Sequence, residues 1–310
     1  MNELEIIRHP QIQGLSMFFD TLDYRTPHFH PEWELIWVLD QPLAIACGEY
    51  RYQALPGDLV LFSPNQAHEF HKVKDSVTFL CLQMSSSLFV SAYPAMERIS
   101  VDHLVLGECL QPATCREIQN VLLQMMREYL TRSSCYEFYC VGQAYLLFHN
   151  ILSGMPSHIL TAAEINNRNR HNECLNRLLT FVDENYTQKI RLSDFAKMER
   201  KSLNYLSGFV KRALGQSFQE FVTTVRFNSA CKLIATTHYK MLDVCMASGF
   251  SDYRYFSKAF RDRLGITPEE YRRRNYSDAP AADKIHHSAH SLEWFYSREN
   301  SLELLSRYSI

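Results

Sequence analysis

Three histidines and one glutamate near the amino end are of the types that hold a metal ion or a polar ligand. His28, His30 and Glu34 lie in the stretch His28-Phe-His30-Pro-Glu-Trp-Glu34, and His68 closes Pro56-Gly-Asp-Leu-Val-Leu-Phe-Ser-Pro-Asn-Gln-Ala-His68. Imidazole nitrogens and a carboxylate oxygen that converge suit zinc, nickel, manganese or iron. The same groups lining an inward-facing pocket would instead hydrogen-bond an organic effector or water, and their types leave both readings open. In an extended chain side chains alternate, so His28, His30, Glu34, Ile36 and Val38 share one face. Trp33, Leu35 and Trp37 take the other, which is also apolar and calls for a cover.

A second set of candidates sits in two segments that answer each other about fifty residues apart. They are Ser202-Leu-Asn-Tyr-Leu-Ser-Gly-Phe-Val-Lys-Arg-Ala-Leu-Gly215 and Asp252-Tyr-Arg-Tyr-Phe-Ser-Lys-Ala-Phe-Arg-Asp-Arg-Leu-Gly265. Each begins with a side-chain oxygen able to cap exposed amides, carries apolar residues at helical spacing, and closes with a glycine that tolerates left-handed geometry. A shorter amphipathic run precedes each, residues 192–198 and 241–247, and Gly249 permits a sharp turn before the second. The phrase Gly215-Gln-Ser-Phe-Gln-Glu-Phe221 then returns as Gly265-Ile-Thr-Pro-Glu-Glu-Tyr271, in register with the upstream repeat. The pattern is a helix-turn-helix, twice.

These residues resemble the DNA-binding domain of AraC/XylS-type transcriptional regulators. The resemblance rests on Tyr205-Leu-Ser and Phe209, on Arg226 and Ala230, and on Gly249-Phe-Ser-Asp252, Tyr255-Phe-Ser-Lys-Ala-Phe260 and Gly265-Ile-Thr-Pro-Glu-Glu-Tyr-Arg272. It covers about a third of the chain and implies two helix-turn-helix units joined by a long helix, about Phe218 to Thr236, with both recognition helices on one face. It also implies a cupin barrel at the amino end, and the two histidine-bearing stretches resemble the two cupin motifs. By that resemblance His28, His30, Glu34 and His68 match the ligands of metal-binding cupins, although Gln41-Pro42 stands where the first motif would end in glycine. Barrels of such regulators usually bind a small molecule, often with the histidines kept and no metal. His28, His30, Glu34, Trp37 and His68 are therefore the candidate effector-binding residues, with Tyr24, Tyr50, Tyr52 and Phe70 as candidate walls.

The elements that must position these groups follow from periodicity. Short apolar runs broken by turn residues, from residue 4 to about 83, predict an antiparallel sandwich or barrel, with strands at 11–19, 34–39, 43–46, 50–53, 58–62 and 76–84. Residues 86–93 and 94–106 read as short helices, and 112–130 and 135–152 as two long ones that either form a dimer interface or cover the barrel. Residues 153–171 lack the apolar content to fold alone and read as a linker whose last part can join the helix expected at 172–186. The expected organisation is multi-domain. A cupin or jelly-roll β-barrel (1–84) with appended helices (85–153) and a linker (154–171) precedes an all-α double helix-turn-helix domain (172–276) and a tail (277–310) in which 292–308 can form an amphipathic helix.

Composition fits. With 46% hydrophobic and 21% charged residues the chain can bury two ordinary domains, and no apolar run approaches a membrane span. No signal peptide opens it, which makes the cytoplasm the expected compartment. The net charge of −2 hides a division: residues 172–276 carry 18 Lys and Arg against 11 Asp and Glu, while residues 1–171 carry 11 against 18. Only the basic part suits a polyanion. Nine cysteines without a paired motif read as reduced thiols.

A recognition helix offers its first two turns to the major groove. The outward candidates are Asn204, Ser207 and Lys211 in the first unit and Tyr253, Arg254, Ser257, Lys258 and Arg261 in the second, with Tyr255, Phe256 and Phe260 toward the core. Gly208 stands among the outward positions of the first unit and offers no donor, which shifts base reading toward the second. Arg254 suits a bidentate contact to guanine or a phosphate contact. Arg200, Lys201, Lys232 and Arg272 to Arg274 suit phosphate, and Arg226 either phosphate or a buried ion pair bracing the two units. No nucleotide loop or nucleophile elbow is present, so the sequence points to a DNA-binding regulator and not an enzyme. Its partners would be double-stranded promoter DNA, a small-molecule effector (a sugar or related metabolite), a second copy and RNA polymerase, and no membrane. The alternatives are a metal-dependent cupin enzyme fused to a DNA-binding domain, with a divalent metal as its cofactor, and a barrel and tail that only dock proteins.

Overall fold

The computed structural model describes residues 11–48, 50–275 and 291–308. What the sequence suggests for residues 1–10 and 276–290 lies outside the described residues. The amino-terminal part is an antiparallel barrel of β1 (Leu15–His28), β2 (Glu32–Val38), β3 (Leu43–Cys47), β4 (Tyr50–Ala54), β5 (Leu59–Phe62), β6 (His68–Lys72) and β7 (Val77–Ser85), in the order β4-β3-β6-β1-β7-β2-β5. β1 is the longest and serves two neighbours of this set. Its first half pairs with β7 from Leu15↔Met84 to Leu22↔Val77, and its second half, past a register shift, pairs with β6 from Tyr24↔His71 to His28↔His68. The sequence pattern suggested a strand ending near residue 19 and none at 68–72. Buried polar residues in β1 (Asp20, Asp23, Arg25, Thr26) and β6 (His68, Glu69) hide both from an apolar count.

Alternation sorts the side chains into two layers. Ile36, Val38, Val60, Phe62, Phe79 and Cys81 pack inside the barrel, while Trp33, Leu35, Trp37, Leu59, Leu61, Leu80 and Leu82 pack outside it. After β7 the chain makes three short 3-10 turns and β8 (Ile99–Val101), where the sequence pattern suggested short helices. Then α1 (Pro112–Thr131) and α2 (Tyr136–Gly154) form an antiparallel hairpin laid over the outer layer. Ile118, Leu122, Met125 and Met126 of α1 join that cluster, and Phe148 of α2 meets Trp33 edge-on at 5.3 Å. The two helices cover the barrel, which settles what shields the second apolar face of β2.

The stretch expected as linker holds β9 (Ser157–Ile159), paired with β8, and the first ten residues of α3 (Ala162–Asn185). A capping box between Thr161 and Glu164 starts the helix, and polar contacts hold its early turns to the barrel: Arg168 donates to Ser100 Oγ at 3.1 Å and Asn172 to Asn65 O at 2.8 Å. A helix can therefore form here without an apolar stripe, because its partners are hydrogen-bond acceptors. Its later residues Leu175, Leu178, Leu179 and Val182 turn into a core that is helical apart from Phe29, which the barrel adds.

That core has two halves. α4 (Leu192–Glu199) and α5 (Leu203–Leu214) pack through Phe195, Leu206, Phe209 and Val210 on Phe218, Phe221, Val222 and Val225 of α6 (Phe218–Thr236). Past its middle, α6 contributes Phe227, Ala230, Cys231 and Ile234 to a second cluster with α7 (Met241–Ala247), α8 (Tyr253–Leu264) and α9 (Pro268–Asn275). α6 is buried along its length because both units share it, as the resemblance implies. Among the described residues of the tail, β10 (Leu292–Phe295) adds a strand to β1, and only α10 (Arg298–Tyr308) is helical. α10 packs on the α1 layer through Leu304 and Leu305, and Arg298 Nε donates to Leu130 O at 2.7 Å.

Two glycines of the helical part differ in kind. Gly249 has φ +80°, and a Cβ there would lie 2.6 Å from Thr187 Cα and 2.7 Å from Tyr186 O, both backbone atoms. Gly208 is an ordinary helical residue whose nearest neighbour is the mobile end of Arg212. Gly249→Ala should destabilise the second unit by about 2 kcal/mol or more, through left-handed strain and steric overlap. Gly208→Ala should stabilise the first by roughly 0.5–1 kcal/mol. Urea unfolding of the two variants against the parent reads both signs.

Candidate functional site

The barrel interior brings the predicted set together. His28, His30, Glu34 and His68 are all buried, and one ligand atom from each lies within 4.8 Å of the others. β1 ends at His28, β6 begins at the paired His68, and β2 carries Glu34 two residues into the strand, so three strands and the turn bearing His30 converge. His28 Nδ1 lies 2.8 Å from Thr26 O and His68 Nδ1 2.8 Å from Gln66 O. Carbonyl partners fix both rings with Nδ1 protonated and so turn Nε2 toward the site, the arrangement that supporting groups impose on metal-binding imidazoles. His68 Nε2 is buried, makes no hydrogen bond, and stands 3.7 Å from Glu34 Oε1.

Glu34 accepts from Gln83 Nε2 at 3.0 Å and pairs with His30 Nε2 at 2.6 Å. Burial pushes its carboxyl upward, but the His30 hydrogen bond and the charges of His30 and His68 outweigh that and hold it well below the usual carboxylate range. His28 is driven well below the ordinary imidazole range, by burial first and then by His68 and Arg25. The residues fit a divalent ion by type and convergence, and His28 and His68 by tautomer, with a modest inward movement needed to close on it.

The remaining candidates divide. Trp37 belongs to the outer layer, 6.3 Å from Tyr308, and does not reach the pocket, because it alternates with Glu34 and Ile36 along β2. Tyr50 is exposed, Tyr52 hydrogen-bonds Asp58, and Tyr24 hydrogen-bonds Glu69, so of the four aromatic walls only Phe70 lines the cavity. Pattern alone missed Arg25, Asp20 and Gln83, which line it too, together with Glu293 and Phe295 from β10. The free space left is about 20 Å³, room for one water.

The second site is the outward surface of α5 and α8. Ser202 Oγ accepts from Tyr205 N at 3.2 Å and Asp252 Oδ1 from Arg254 N at 2.6 Å, so both helices begin at the caps the sequence suggested. Gly215 and Gly265 close them at φ +64° and +68°. Asn204, Ser207 and Lys211 are exposed on α5, and Arg254, Lys258 and Arg261 on α8, while Tyr253 and Ser257 are half-buried. Arg254 rests on Asp252 at 3.1 Å and Lys258 on Asp262 at 2.6 Å. Pairs this exposed exchange readily for phosphate or base edges.

Tyr255 is a correction: it is 65% exposed, whereas Tyr253 packs on Phe256 and donates to Glu269. The repeat carries the signal, since Tyr205 stands in the same register on α5 and is 49% exposed. Among the described residues Arg226 makes no ion pair. Its Nε donates to Tyr186 O and its Nη2 to Gln188 O, both at 2.7 Å, and it backs onto Gly249. It braces the two units through carbonyls, since the turn it meets offers no carboxylate. Of the suggested phosphate contacts, Lys232 is half-buried, and the side chain of Arg274 lies outside the described residues.

Two family models match: the AraC-like ligand binding domain over residues 13–135 and a helix-turn-helix domain over 195–274, together about two thirds of the chain. The chain belongs to the AraC family of transcriptional regulators. It is 20% identical to the melibiose operon regulatory protein of Escherichia coli K12, over 80% of this chain and 83% of that protein. It is 22% identical to the lactose operon transcription activator of Staphylococcus xylosus, over 71% and 76%. Among solved structures it is similar to ToxT of Vibrio cholerae, at 13% identity and TM-score 0.41, over 85% of this chain and 98% of that one. As an AraC-family regulator it joins a ligand-binding barrel to a DNA-binding double helix-turn-helix.

The buried set sets a pH dependence. A histidine kept neutral by the fold contributes stability above its unfolded value and loses it as pH falls, and a carboxylate held low does the same further down. The barrel should therefore begin to lose stability below about pH 6.5. His28→Gln should delay that onset until the carboxylates titrate, as read by chemical unfolding at a series of pH values.

Proposed function

We propose that residues 172–276 bind promoter DNA through the outward residues of both recognition helices, under the control of a small molecule held in the barrel. The supporting observation is the repeat itself: two capped helices in the same register, each with its apolar side in a core and its polar side in solvent. Asn204 and Arg254 are the base-reading candidates; Ser207, Lys211, Ser257, Lys258 and Arg261 are the phosphate or base contacts, with Tyr253 at the groove edge. The cytoplasm is the compartment this implies, and among the described residues no helix is long and apolar enough to cross a membrane.

Two curated relatives are named for the melibiose and lactose operons, which supports a sugar or related metabolite as the effector. His28, His30, Glu34 and His68 offer it hydrogen bonds from the barrel floor. In this division residues 1–84 sense, 85–153 support, 154–171 connect and 172–276 read. A second copy would dock on the outer side of α2, where Phe138 (83% exposed) and Leu146 (57%) flank Gly142, and RNA polymerase is the partner a bound regulator would address.

Selection of bound fragments from random DNA, with and without candidate sugars, tests the reading. Lys211→Ala should weaken all sequences alike and lower the salt slope by about 1. Arg254→Ala should relax preference at one base pair, at a cost of roughly 1–3 kcal/mol. A uniform loss for Arg254→Ala would remove it as a reader.

The converged imidazoles support a second reading, a metal-dependent barrel. His28, His30, Glu34 and His68 would hold the ion, which would supply Lewis-acid polarisation of a bound oxygen. The Nδ1–carbonyl contacts would keep the rings aimed, and Gln83 would hold Glu34. Metal analysis of protein purified without chelator should show one equivalent, abolished by His28→Ala with His68→Ala; no metal in the parent contradicts this reading.

A further inference from the structure

β10 lies past the DNA-binding segment and returns to the barrel, where Leu22 pairs with Glu293 and Asp20 with Phe295. Its alternation puts unlike things on its two sides. Glu293 and Phe295 line the barrel cavity beside Phe18, Arg25, His28 and Glu34. Leu292 and Trp294 face away and pack on the second helix-turn-helix unit, in the cluster of Phe227, Phe256 and Tyr271. One four-residue strand thus touches both the pocket and half of the DNA-reading machinery.

Inside, Glu293 forms a salt bridge with Arg25, and their side chains are 2% and 7% exposed. Phe295 meets Phe18 edge-on at 5.2 Å. A guanidinium this deep needs an anion. The chain supplies one from its own tail, attached to an apolar ring, and by doing so reduces the cavity to about 20 Å³. The strand is also tied by its pairing with β1, by the packing of Leu292 and Trp294, and by side chains: Ser291 Oγ lies 3.2 Å from Thr26 N, and Asp20 Oδ1 accepts from Trp294 N at 3.2 Å.

We propose that Glu293 and Phe295 are an internal stand-in for the effector, and that the effector is a small organic acid whose carboxylate takes the place of Glu293 on Arg25 and whose compact apolar body takes the place of Phe295. This rests on the barrel being the effector site and narrows the sugar-or-metabolite class to acids. Binding then requires β10 to leave, which withdraws Leu292 and Trp294 from the second unit. The acid has affinity only for the arrangement without the strand, which is the differential affinity a switch requires.

Full-length Glu293→Ala supplies the test, with acetate and benzoate as probes and acetamide and benzamide as neutral controls. Acetate, and more strongly benzoate, should raise the melting temperature of Glu293→Ala by about 4 °C or more at millimolar concentration. The amides should not, and the double variant Arg25→Met with Glu293→Ala should not respond. The parent should need roughly ten-fold more acid, since its own carboxylate competes. Should Glu293→Ala not fold, Glu293→Gln keeps the strand and gives the same comparison with the parent.

In DNA binding, acid on the parent should reproduce the acid-free affinity of Glu293→Ala. Equal response to amides, or a response persisting without Arg25, overturns the proposal; the latter would place the acid elsewhere, such as the apolar cavity of about 340 Å³ lined by Phe89, Tyr145 and Phe148. A neutral sugar that alters DNA binding while acids do not would overturn the acid and leave the barrel as effector site.

Discussion

Buried charge is the constraint that shapes the amino-terminal half. A barrel whose interior holds Asp20, Arg25, His28, His30, Glu34, His68 and Glu293, all below 10% exposed, must match each of them inside a medium that penalises bare ions. Much of the architecture answers that demand. β1 shifts register where Arg25 and His28 enter the barrel, two histidines are tied to backbone carbonyls, and a strand from the far end of the chain brings the carboxylate that Arg25 pairs with. An apolar barrel would need none of this and could not recognise a polar metabolite.

The carboxyl-terminal half obeys a different rule. Its two units are each too small to bury much surface alone, and sharing α6 lets one helix serve both cores, as Val225 and Phe227, two residues apart, belong to different clusters. Arg226 sits between them and ties the end of α3 to the turn at Gly249, so the spacing of the two recognition helices is carried by covalent helix and carbonyl hydrogen bonds together. A rigid spacing suits a partner whose grooves repeat at fixed intervals.

What could be read in the sequence follows the same division. Caps, glycine stops and the fifty-residue repeat are local signals, so α5 and α8 were legible to within a residue or so; the bounds of α6 came from the family resemblance, and His28, His30, Glu34 and His68 were legible as a set. Long-range pairings were not. β6 and the second half of β1 are written in buried polar residues, which read as loop; α3 begins in a polar run that reads as linker because its partners lie 107 and 68 residues away in sequence, at Asn65 and Ser100. Glu293 could not be placed in the pocket from the chain alone, since only the fold brings residues 25 and 293 together. Tyr255 was given the wrong side of α8, and Trp37, read on the outer face of β2 where the structure has it, was nevertheless counted among the pocket residues.

By the proposed function, α5 and α8 enter successive major grooves on one side of the duplex. Hydroxyl-radical footprinting of the full-length protein on a selected site tests it most directly. The account predicts two protected backbone segments centred about 10 base pairs apart on one face of the helix, the upstream or downstream one lost by charge reversal at Arg254 and Lys258 alone. A single protected groove, or two on opposite faces, would contradict it.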